Sequence, residues 1–220
     1  MKIKNLNRSI IDAAVKDFAV SLTPAARILD VGAGSGHYRQ IFHAQDYLAI
    51  DRGYEQQSRS GLSVVADIAA IPFAAETMDA AICLEVLEHV TDPDLILREI
   101  FRVMRPGGNL MLSTPFCLGE HMKPYDFFRF TRFMLSKKLE KAGFDIVSIR
   151  PRGGFFTLLA YLLARFPDEI FRGVKGWTKI FKPLIRLVTT YSLARIVLWC
   201  DRFDAEKNFT LGYICLVKKP

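Results

Sequence analysis

The sequence predicts an α/β fold built on a seven-stranded, mostly parallel sheet with helices on both of its faces. Three observations support this prediction. Short apolar runs that fit buried strands alternate with longer stretches that fit helices. A glycine-rich turn, residues 32–36, follows the first apolar run. Acidic residues mark the ends of the first two runs, at Asp30 and Asp51.

The individual elements follow from hydrophobic periodicity and from helix start and stop signals. Residues 7–21 predict an amphipathic helix. Asp92 and Pro93 predict the start of another helix, as its N-cap and its first-turn proline. A further helix over residues 131–142 is predicted to end at Gly143. The predicted strands are residues 27–31, 47–51, 62–66, 79–84, 109–114, 144–150 and 211–217, with helices between them, including one directly after the glycine-rich turn.

Length and composition favour one globular domain. A chain of 220 residues is long enough for a sizeable core, and half of its residues are hydrophobic. The four cysteines are far apart and form no paired ligand motif, so we expect reduced thiols, a cytoplasmic location and no metal site. The first residues do not resemble a signal peptide.

Residues 151–210, between the last two predicted strands, are too long for a plain loop. We expect them to form a helical insertion within a single domain that spans residues 1–220. The segment contains apolar runs at 155–166 and 179–199. Neither run is predicted to span a bilayer, because the first is short and the second contains a proline and several cations.

The positive charge of the chain is concentrated in this part of the sequence. Residues 150–202 contain ten Lys or Arg and three Asp or Glu, which accounts for the whole net charge of +7. Two interpretations stay open: a lid with solvated cations, or a peripheral contact with an anionic membrane or lipid. We expect no nucleic-acid partner, because the cations are set among Leu, Ile and Val and not among stacking aromatic residues.

The glycine-rich turn carries the strongest functional signal. Gly32, Gly34 and Gly36 are spaced G-x-G-x-G, which lets backbone approach a ligand closely. Dinucleotide sites instead use G-x-G-x-x-G with a pyrophosphate at the helix N-terminus, and His37 occupies that last position here. Asp30 beside the turn suits a ligand with an ammonium or sulfonium group better than a pyrophosphate.

Five segments in this order resemble the motifs of the class I S-adenosylmethionine (SAM) dependent methyltransferases, in a form similar to their bacterial type 11 members. They are residues 27–38, 47–51, 64–68, 78–89 with its Leu-Glu-His triplet, and 99–108. The resemblance covers residues 27–150 and the last strand, and it leaves the insertion outside the common pattern. It implies a Rossmann-like three-layer sandwich and SAM as the cofactor.

The resemblance also implies which residues contact the cofactor. Asp51 would bind the ribose hydroxyls, and Asp67 with Ile68 would contact the adenine, although Asp67 alternatively begins an Asx turn. Asp30 would orient the amino group of SAM, directly or through water. The complete predicted set is Asp30, Gly32, Gly34, Gly36, Asp51, Asp67, Ile68 and Glu85.

Polar residues after the fourth and fifth predicted strands are candidates for the acceptor side. His89 is a candidate general base, or else a residue that orders its loop. His121 and Tyr125 are expected to contact the acceptor, whereas Asp126 and Arg129, three residues apart, are expected to form a structural pair. Their loop resembles that of a bacterial subset of these enzymes, found in polysaccharide and cell-envelope gene sets.

The resulting hypothesis is an enzyme that transfers a methyl group, most plausibly to oxygen, of a small-molecule, saccharide or lipid-linked acceptor. Two alternatives remain: a non-catalytic SAM-binding regulatory protein and an NAD-dependent Rossmann enzyme. The N-P-P-Y type motif of nucleic-acid amino methylation is absent, because the fourth predicted strand ends in Cys83, Leu84 and Glu85.

Overall fold

The structure is a computed structural model that describes residues 5–52, 60–172 and 178–220. Its helices are α1 (Leu6–Ser21), α2 (Pro93–Val103), α3 (Arg132–Lys141), α4 (Phe155–Ile170), α5 (Thr178–Arg186) and α6 (Ala194–Trp199). Its strands are β1 (Arg27–Val31), β2 (Asp46–Asp51), β3 (Val64–Val65), β4 (Met78–Leu84), β5 (Met104–Pro115), β6 (Asp145–Pro151) and β7 (Gly212–Lys218). Short 3-10 segments cover Leu87–His89 and Cys200–Phe203, and a π-helical segment covers Leu187–Leu193.

The seven strands form one sheet in the order β3-β2-β1-β4-β5-β7-β6. Strand β1 pairs in parallel with β2 on one side and with β4 on the other. The pairs β2–β3 and β4–β5 are parallel as well. In this register Leu29 lies between Leu48 and Ala81. The predicted seven-stranded α/β sheet is confirmed.

Strand β4 is almost wholly apolar because both faces of the sheet are covered. In β4, every residue except Asp79 is buried. Asp79 lies near the start of the strand, where its carboxylate accepts from the amide of Arg27 at 2.8 Å and pairs with Arg105. Helix α2 adds buried residues at helical spacing, namely Pro93, Ile96, Leu97, Ile100 and Val103.

The helix predicted after the glycine-rich turn is replaced by consecutive turns. Several hydrogen bonds here run only three residues back, from the amides of Arg39, Ile41 and Gln45 to the carbonyls of Gly36, Tyr38 and Phe42. Tyr38 and Phe42 are buried, and the ring of Phe42 stacks on that of Tyr47. Tertiary packing of these aromatic rings therefore overrides the local helical pattern.

The predicted helix boundaries at α2 and α3 are confirmed. Asp92 accepts from the amide of Leu95 at 3.0 Å, with Pro93 in the first turn of α2. Thr131 caps α3 by accepting from the amide of Met134. Gly143, at φ +100°, follows the end of α3 in a conformation that a residue with a side chain rarely adopts.

The chain divides into two compact units. We call Ala13–Arg150 with Tyr213–Pro220 the sheet unit, and Met1–Asp12 with Pro151–Gly212 the helical unit. The helical unit has its own small core, formed by Leu6, Ala160, Ala164 and Ala194. It contains nearly all of the predicted insertion, and the prediction of a single domain stays a prediction.

The N-terminus of α4 is fixed by two carboxylates of the helical unit. Asp201 accepts from the amides of Gly154 and Thr157, at 3.0 and 2.8 Å. Asp204 accepts from the amide of Phe155 at 2.6 Å. These bonds satisfy donors that an α-helix leaves without partners in its own first turn.

The described helical stretch Phe181–Phe203 is 23 residues long and 11% buried. Its length and composition would allow it to cross a membrane, a property that core helices and signal sequences share. The overlapping run 179–199 is not predicted from the sequence to span a bilayer, because it contains Lys182, Pro183, Arg186 and Arg195.

We expect Asp94→Asn to lower the free energy of unfolding by about 1 kcal/mol at pH 7, allowing for solvent screening. Lys138 and Lys141 of α3 contact Asp94 of α2 at 2.6 and 2.9 Å and lower the pKa of its carboxyl to about 2. Because the pKa is lower in the folded state, this stabilisation is present above pH of about 4. It is lost as the pH falls through about 2.

Urea unfolding of both proteins at pH 7 and at pH 2.5 measures this difference. Asp145→Asn, an exposed carboxylate at the start of β6, is the control for removal of one charge. A loss of stability that is equally large at both pH values would contradict the assignment to the Asp94 carboxylate.

Candidate active site

A cleft of about 500 Å³ lies in the sheet unit, beside the carboxyl ends of its parallel strands. Ligands of α/β sheets bind at this edge, because loops leave the strands there in different directions. The lining residues are Gly32, Gly34, Asp51, Arg52, Asp67, Ile68, Ala69, Glu85, Val86, His89, Val90, Thr91, Asp92, Leu95, Ile96, Met122, Tyr125 and Phe127.

The glycine-rich turn forms one wall of the cleft and is bound to the end of β2. The amides of Gly32 and Ala33 donate to the carbonyl of Ile50 at 2.9 and 3.0 Å. The amide of Gly34 donates to a carboxylate oxygen of Asp51 at 2.9 Å. Asp51 therefore fixes the turn and also faces the cleft.

Two of the three glycines are required by close contacts within the protein itself. A Cβ atom on Gly32 would lie 2.6 Å from a methyl group of Val86, and one on Gly36 would lie 2.5 Å from the carbonyl oxygen of Gly61. Gly32, Gly34 and Gly36 all have φ between +58° and +75°, which side chains disfavour. Gly32 and Gly34 line the cleft, whereas Gly36 does not.

Asp30 lies below the cleft wall and is 2% exposed. The hydroxyl of Tyr47 donates to its carboxylate. Burial, together with the neighbouring Asp30, raises the pKa of Tyr47 well above its usual value, so the phenol stays protonated and can keep this bond. Asp30 is not among the described residues that line the cleft.

Asp67 and Ile68 lie across the cleft from the glycines, just after β3. Asp67 pairs with Arg52. The hydrogen bond from Arg52, and to a smaller extent that from the amide of Ala69, lowers the pKa of the Asp67 carboxyl. The 2.9 Å bond from Ala69 forms the Asx turn that the sequence offered as an alternative for Asp67. The side chain also lines the cleft, so the turn does not exclude a ligand contact.

Glu85 follows β4 directly and has a strained backbone, with φ +56°. Its amide and its carboxylate both bind Ser113 of β5, as donor to the carbonyl and as acceptor from the hydroxyl, each at 3.0 Å. This double contact holds Glu85 in a conformation that an isolated residue would avoid, at the point where β4 ends in the cleft.

His89 and His121 are in contact although 32 positions separate them. Their Nε2 atoms are 3.1 Å apart. His89 Nδ1 lies 2.5 Å from the carbonyl oxygen of Tyr125, and burial lowers the pKa of its imidazole. His89 and Tyr125 line the cleft, whereas His121 lies behind His89.

The predicted pair of Asp126 and Arg129 is confirmed. Two guanidinium nitrogens of Arg129 bind the two carboxylate oxygens at 2.6 and 2.8 Å, and this contact holds the pKa of Asp126 well below its usual value. Asp126 also accepts from the amide of His121 at 2.9 Å. The pair therefore fixes the loop that carries His121 and Tyr125.

Eight predicted site residues line one cleft: Gly32, Gly34, Asp51, Asp67, Ile68, Glu85, His89 and Tyr125. The prediction missed the other ten lining residues, among them Arg52, Val86, Met122 and Phe127. The position of Arg52 could have been inferred from the sequence, because it directly follows Asp51 at a predicted strand end. No sequence pattern indicates Met122 and Phe127, because only the path of the loop after β5 brings them to the cleft.

Comparison with known proteins identifies the class. Residues 29–112 match the family model described as a methyltransferase domain. A ubiquinone biosynthesis O-methyltransferase from Pseudomonas fluorescens is 35% identical over 101 residues, covering 40% of this chain and 44% of that protein. The one from Xanthomonas axonopodis is 38% identical over 109 residues, covering 42% and 45%. The chain thus spans less than half the length of these curated relatives.

Solved structures agree in fold. The [4+2]-cyclase SpnF superimposes with a TM-score of 0.62 at 22% identity, covering 94% of this chain and 81% of that one. Phosphoethanolamine N-methyltransferase 2 of Haemonchus contortus, in complex with SAM, gives 0.58 at 14% identity, covering 94% and 52%. Residues 29–112, within the sheet unit, therefore carry the match to a methyltransferase domain. The strand order of this unit agrees with the Rossmann-like fold of these solved structures.

We expect Gly32→Ala to lower the free energy of unfolding by about 1–3 kcal/mol more than Gly107→Ala does. Both glycines have positive φ, so both substitutions strain the backbone by similar amounts. Only at Gly32 does the new methyl group meet the stiff side chain of Val86, because nothing lies within 4 Å of a Cβ at Gly107. Urea unfolding measures the difference, and equal losses would contradict the packing role of Gly32.

Proposed function

We propose that this chain is a SAM-dependent methyltransferase that transfers a methyl group to an oxygen atom of a small-molecule or lipid-linked acceptor. The observation that carries the proposal is the cleft itself. A glycine turn bound to Asp51 forms one wall, and the imidazole of His89 and the phenol of Tyr125 lie on another. The O-methyltransferase relatives support the choice of oxygen, although they match less than half of their own length.

The chain's own residues fit SAM in three parts. The turn with Gly32 and Gly34 would lie against its methionine moiety, and Asp51 would accept from the ribose hydroxyls, since a carboxylate accepts up to about four hydrogen bonds. Asp67 and Ile68 would contact the adenine. When bound, SAM supplies an electrophilic methyl group, so the protein's task is to position the acceptor and exclude water.

Asp30 and Gly36 do not line the cleft, so in this proposal both would act on SAM indirectly. Asp30 is held by Tyr47 below the turn, so it would act on the amino group of SAM through the turn or through water. Gly36 would act by letting the turn pack against Gly61. Glu85, His89, His121 and Tyr125 would form the side of the site that meets the acceptor.

We expect Asp51→Asn to weaken SAM binding at least tenfold, because the ribose loses a charged acceptor and the turn loses its charge-assisted bond to Gly34. Isothermal titration with SAM measures this. Asp46→Asn at the opposite end of β2 is the matched control, since Asp46 pairs with Arg27 at 3.2 Å and lies outside the cleft lining.

Titration with SAM and with NAD, together with a methyl-transfer assay, distinguishes the competing functions. Binding of NAD with no binding of SAM would favour the Rossmann dehydrogenase alternative. Binding of SAM without transfer of a labelled methyl group to any fraction of a cell-envelope extract would favour a non-catalytic SAM-binding protein. A label that is retained after hydrolysis of esters excludes a methyl ester, and mass spectrometry of the labelled product then distinguishes a methyl ether from an N-methyl or C-methyl product.

We further propose that the helical unit contacts an anionic membrane surface, which would bring the site to a lipid-linked acceptor. Exposed apolar side chains recur along Phe181–Phe203 at helical spacing, among them Phe181, Leu184, Tyr191, Ile196, Trp199 and Phe203. Arg195 is exposed in the same stretch, and Arg202 lies over the ring of Trp199. Apolar side chains interleaved with cations are typical of interfacial helices.

The double substitution Ile196→Ser with Trp199→Ser is expected to reduce flotation of the protein with phosphatidylglycerol-containing vesicles by at least fivefold. Both side chains are more than half exposed, so the fold should tolerate their removal. Phe133→Ser, at an equally exposed aromatic residue of α3, is the control. Wild-type protein that stays unbound at low salt would overturn the membrane proposal and leave the methyltransferase proposal intact.

A further inference from the structure

We propose that Glu88, His89 and His121 form a binding site for a divalent transition-metal ion of the zinc type. Two imidazole nitrogens and one carboxylate oxygen converge here within 4.8 Å of one another. Two histidines and one carboxylate are a ligand set that such ions take in proteins. No local sequence pattern indicates this group, because His121 is far along the chain from the other two residues.

The distances between the three ligand atoms fit one shared ion. Two atoms each about 2.0–2.1 Å from a tetrahedral Zn²⁺ lie about 3.3–3.4 Å apart. The two Nε2 atoms are 3.1 Å apart, and Glu88 Oε1 lies 3.7 Å from that of His89 and 3.9 Å from that of His121. Shifts of a few tenths of an ångström would bring all three to bonding distance.

The hydrogen bonds of both imidazoles direct the same nitrogen to the centre of the cluster. His89 Nδ1 faces the carbonyl oxygen of Tyr125 at 2.5 Å, and His121 Nδ1 faces that of Gly119 at 3.3 Å and Asp126 Oδ2 at 3.4 Å. Carbonyl and carboxylate partners favour the tautomer with the proton on Nδ1, which would leave a lone pair on Nε2 of each ring. This is the arrangement that orients histidines in metal sites.

Two lone pairs 3.1 Å apart repel each other unless a cation lies between them. A proton shared by the rings would relieve this repulsion, and so would a metal ion. The position of Glu88 favours the ion, because its fully buried carboxylate lies close to both nitrogens and completes a triangle of ligands instead of a linear pair. The three ligands carry one negative charge, which a divalent cation balances with one positive charge to spare.

The scaffold around the cluster is rigid. Glu88 and His89 lie on the 3-10 segment that follows β4, and the carbonyl of Glu88 accepts from the amide of Phe127 at 2.7 Å. His121 is held by the bond from its amide to Asp126, which Arg129 clamps in turn. The ligands therefore come from segments that follow two neighbouring strands, and a salt bridge fixes the loop after β5.

Three protein ligands leave at least one coordination position for an oxygen ligand. His89 lines the cleft, so that position would lie on the acceptor side. This extension rests on the proposed methyltransferase function: the acceptor would be a hydroxyl or phenol whose oxygen would bind the ion, which would lower its pKa so that its proton leaves to solvent. The oxygen would then take the methyl group as the carbon–sulfur bond of SAM breaks and S-adenosylhomocysteine leaves. Histidines that bind the ion through Nε2 cannot serve as general bases, so the ion would replace the base role predicted for His89.

Zinc binding to the full chain tests the site without any methyl acceptor. The protein is stripped with a chelator and titrated with Zn²⁺ by calorimetry, then with Co²⁺ by visible absorption. We expect one equivalent of each to bind, with the ligand-field bands of low-symmetry four- or five-coordinate Co²⁺. Thiolate charge-transfer bands should be absent, because the ligands contain no cysteine.

His121→Gln and Glu88→Gln are expected to weaken Zn²⁺ binding at least tenfold. His43→Gln is the matched control, since it removes an exposed imidazole outside the cleft. The His121 side chain is 38% exposed, so that variant stays informative even if Glu88→Gln unfolds. Unchanged affinity in His121→Gln, thiolate coordination, or no saturable binding to the wild type would each overturn the metal site.

Failure of this proposal and failure of the methyltransferase proposal give different results. A chain that binds SAM but no Zn²⁺ retains the methyltransferase proposal and loses the metal site. A chain that binds one Zn²⁺ through His121 but no SAM retains the metal site and loses the proposed function.

Discussion

The candidate site depends on the parallel pairing of β2, β1, β4 and β5. Parallel pairing puts the carboxyl ends of these strands at one edge, so segments far apart in sequence leave the sheet next to each other. Asp51, Glu85 and the loop that carries His121 each follow a different strand. A shift of register by one residue would reverse the direction of every side chain on a strand, and the buried apolar faces prevent such a shift.

The edge is further fixed by polar bonds that reach from one strand to the next. The Asp51 carboxylate binds the glycine turn after β1, Ser113 of β5 binds Glu85, and the carbonyl of Glu88 binds the amide of Phe127. The first two bonds join the end of one strand to the segment after its neighbour, and the third joins the segments that follow β4 and β5. The site is thereby preorganised by the same contacts that complete the sheet, and its strained residue, Glu85, is stabilised by two of them.

The helical unit differs from the sheet unit in how few of its large apolar side chains are buried. Its core is small and built mainly of alanines, while many of its large apolar side chains are exposed. Exposed apolar surface of this extent is unfavourable in water and is typical of a surface that contacts an apolar partner. The excess positive charge of residues 150–202 favours a partner with an anionic surface. In the proposed function the sheet unit would carry the chemistry, and the helical unit would contact an anionic lipid surface.

Local patterns in the sequence were sufficient for the order of the strands, the caps of α2 and α3, and eight of the eighteen residues that line the cleft. Burial on both faces leaves continuous apolar runs, and capping uses residues within one turn of the helix end, so both are visible in short windows. The helix expected after the glycine turn was wrong because the packing of Tyr38 and Phe42 decided that segment.

The sequence by itself determined the fold class, the order of the motifs and the glycine turn with its neighbouring acids. Tertiary structure alone decided that Tyr47 covers Asp30, that Val86 excludes a side chain at Gly32, and that the imidazoles of His89 and His121 meet. The reason is physical: periodicity reports which face of an element is buried. The distance between side chains on different elements depends on strand register and on the path of the loops, which no local window contains.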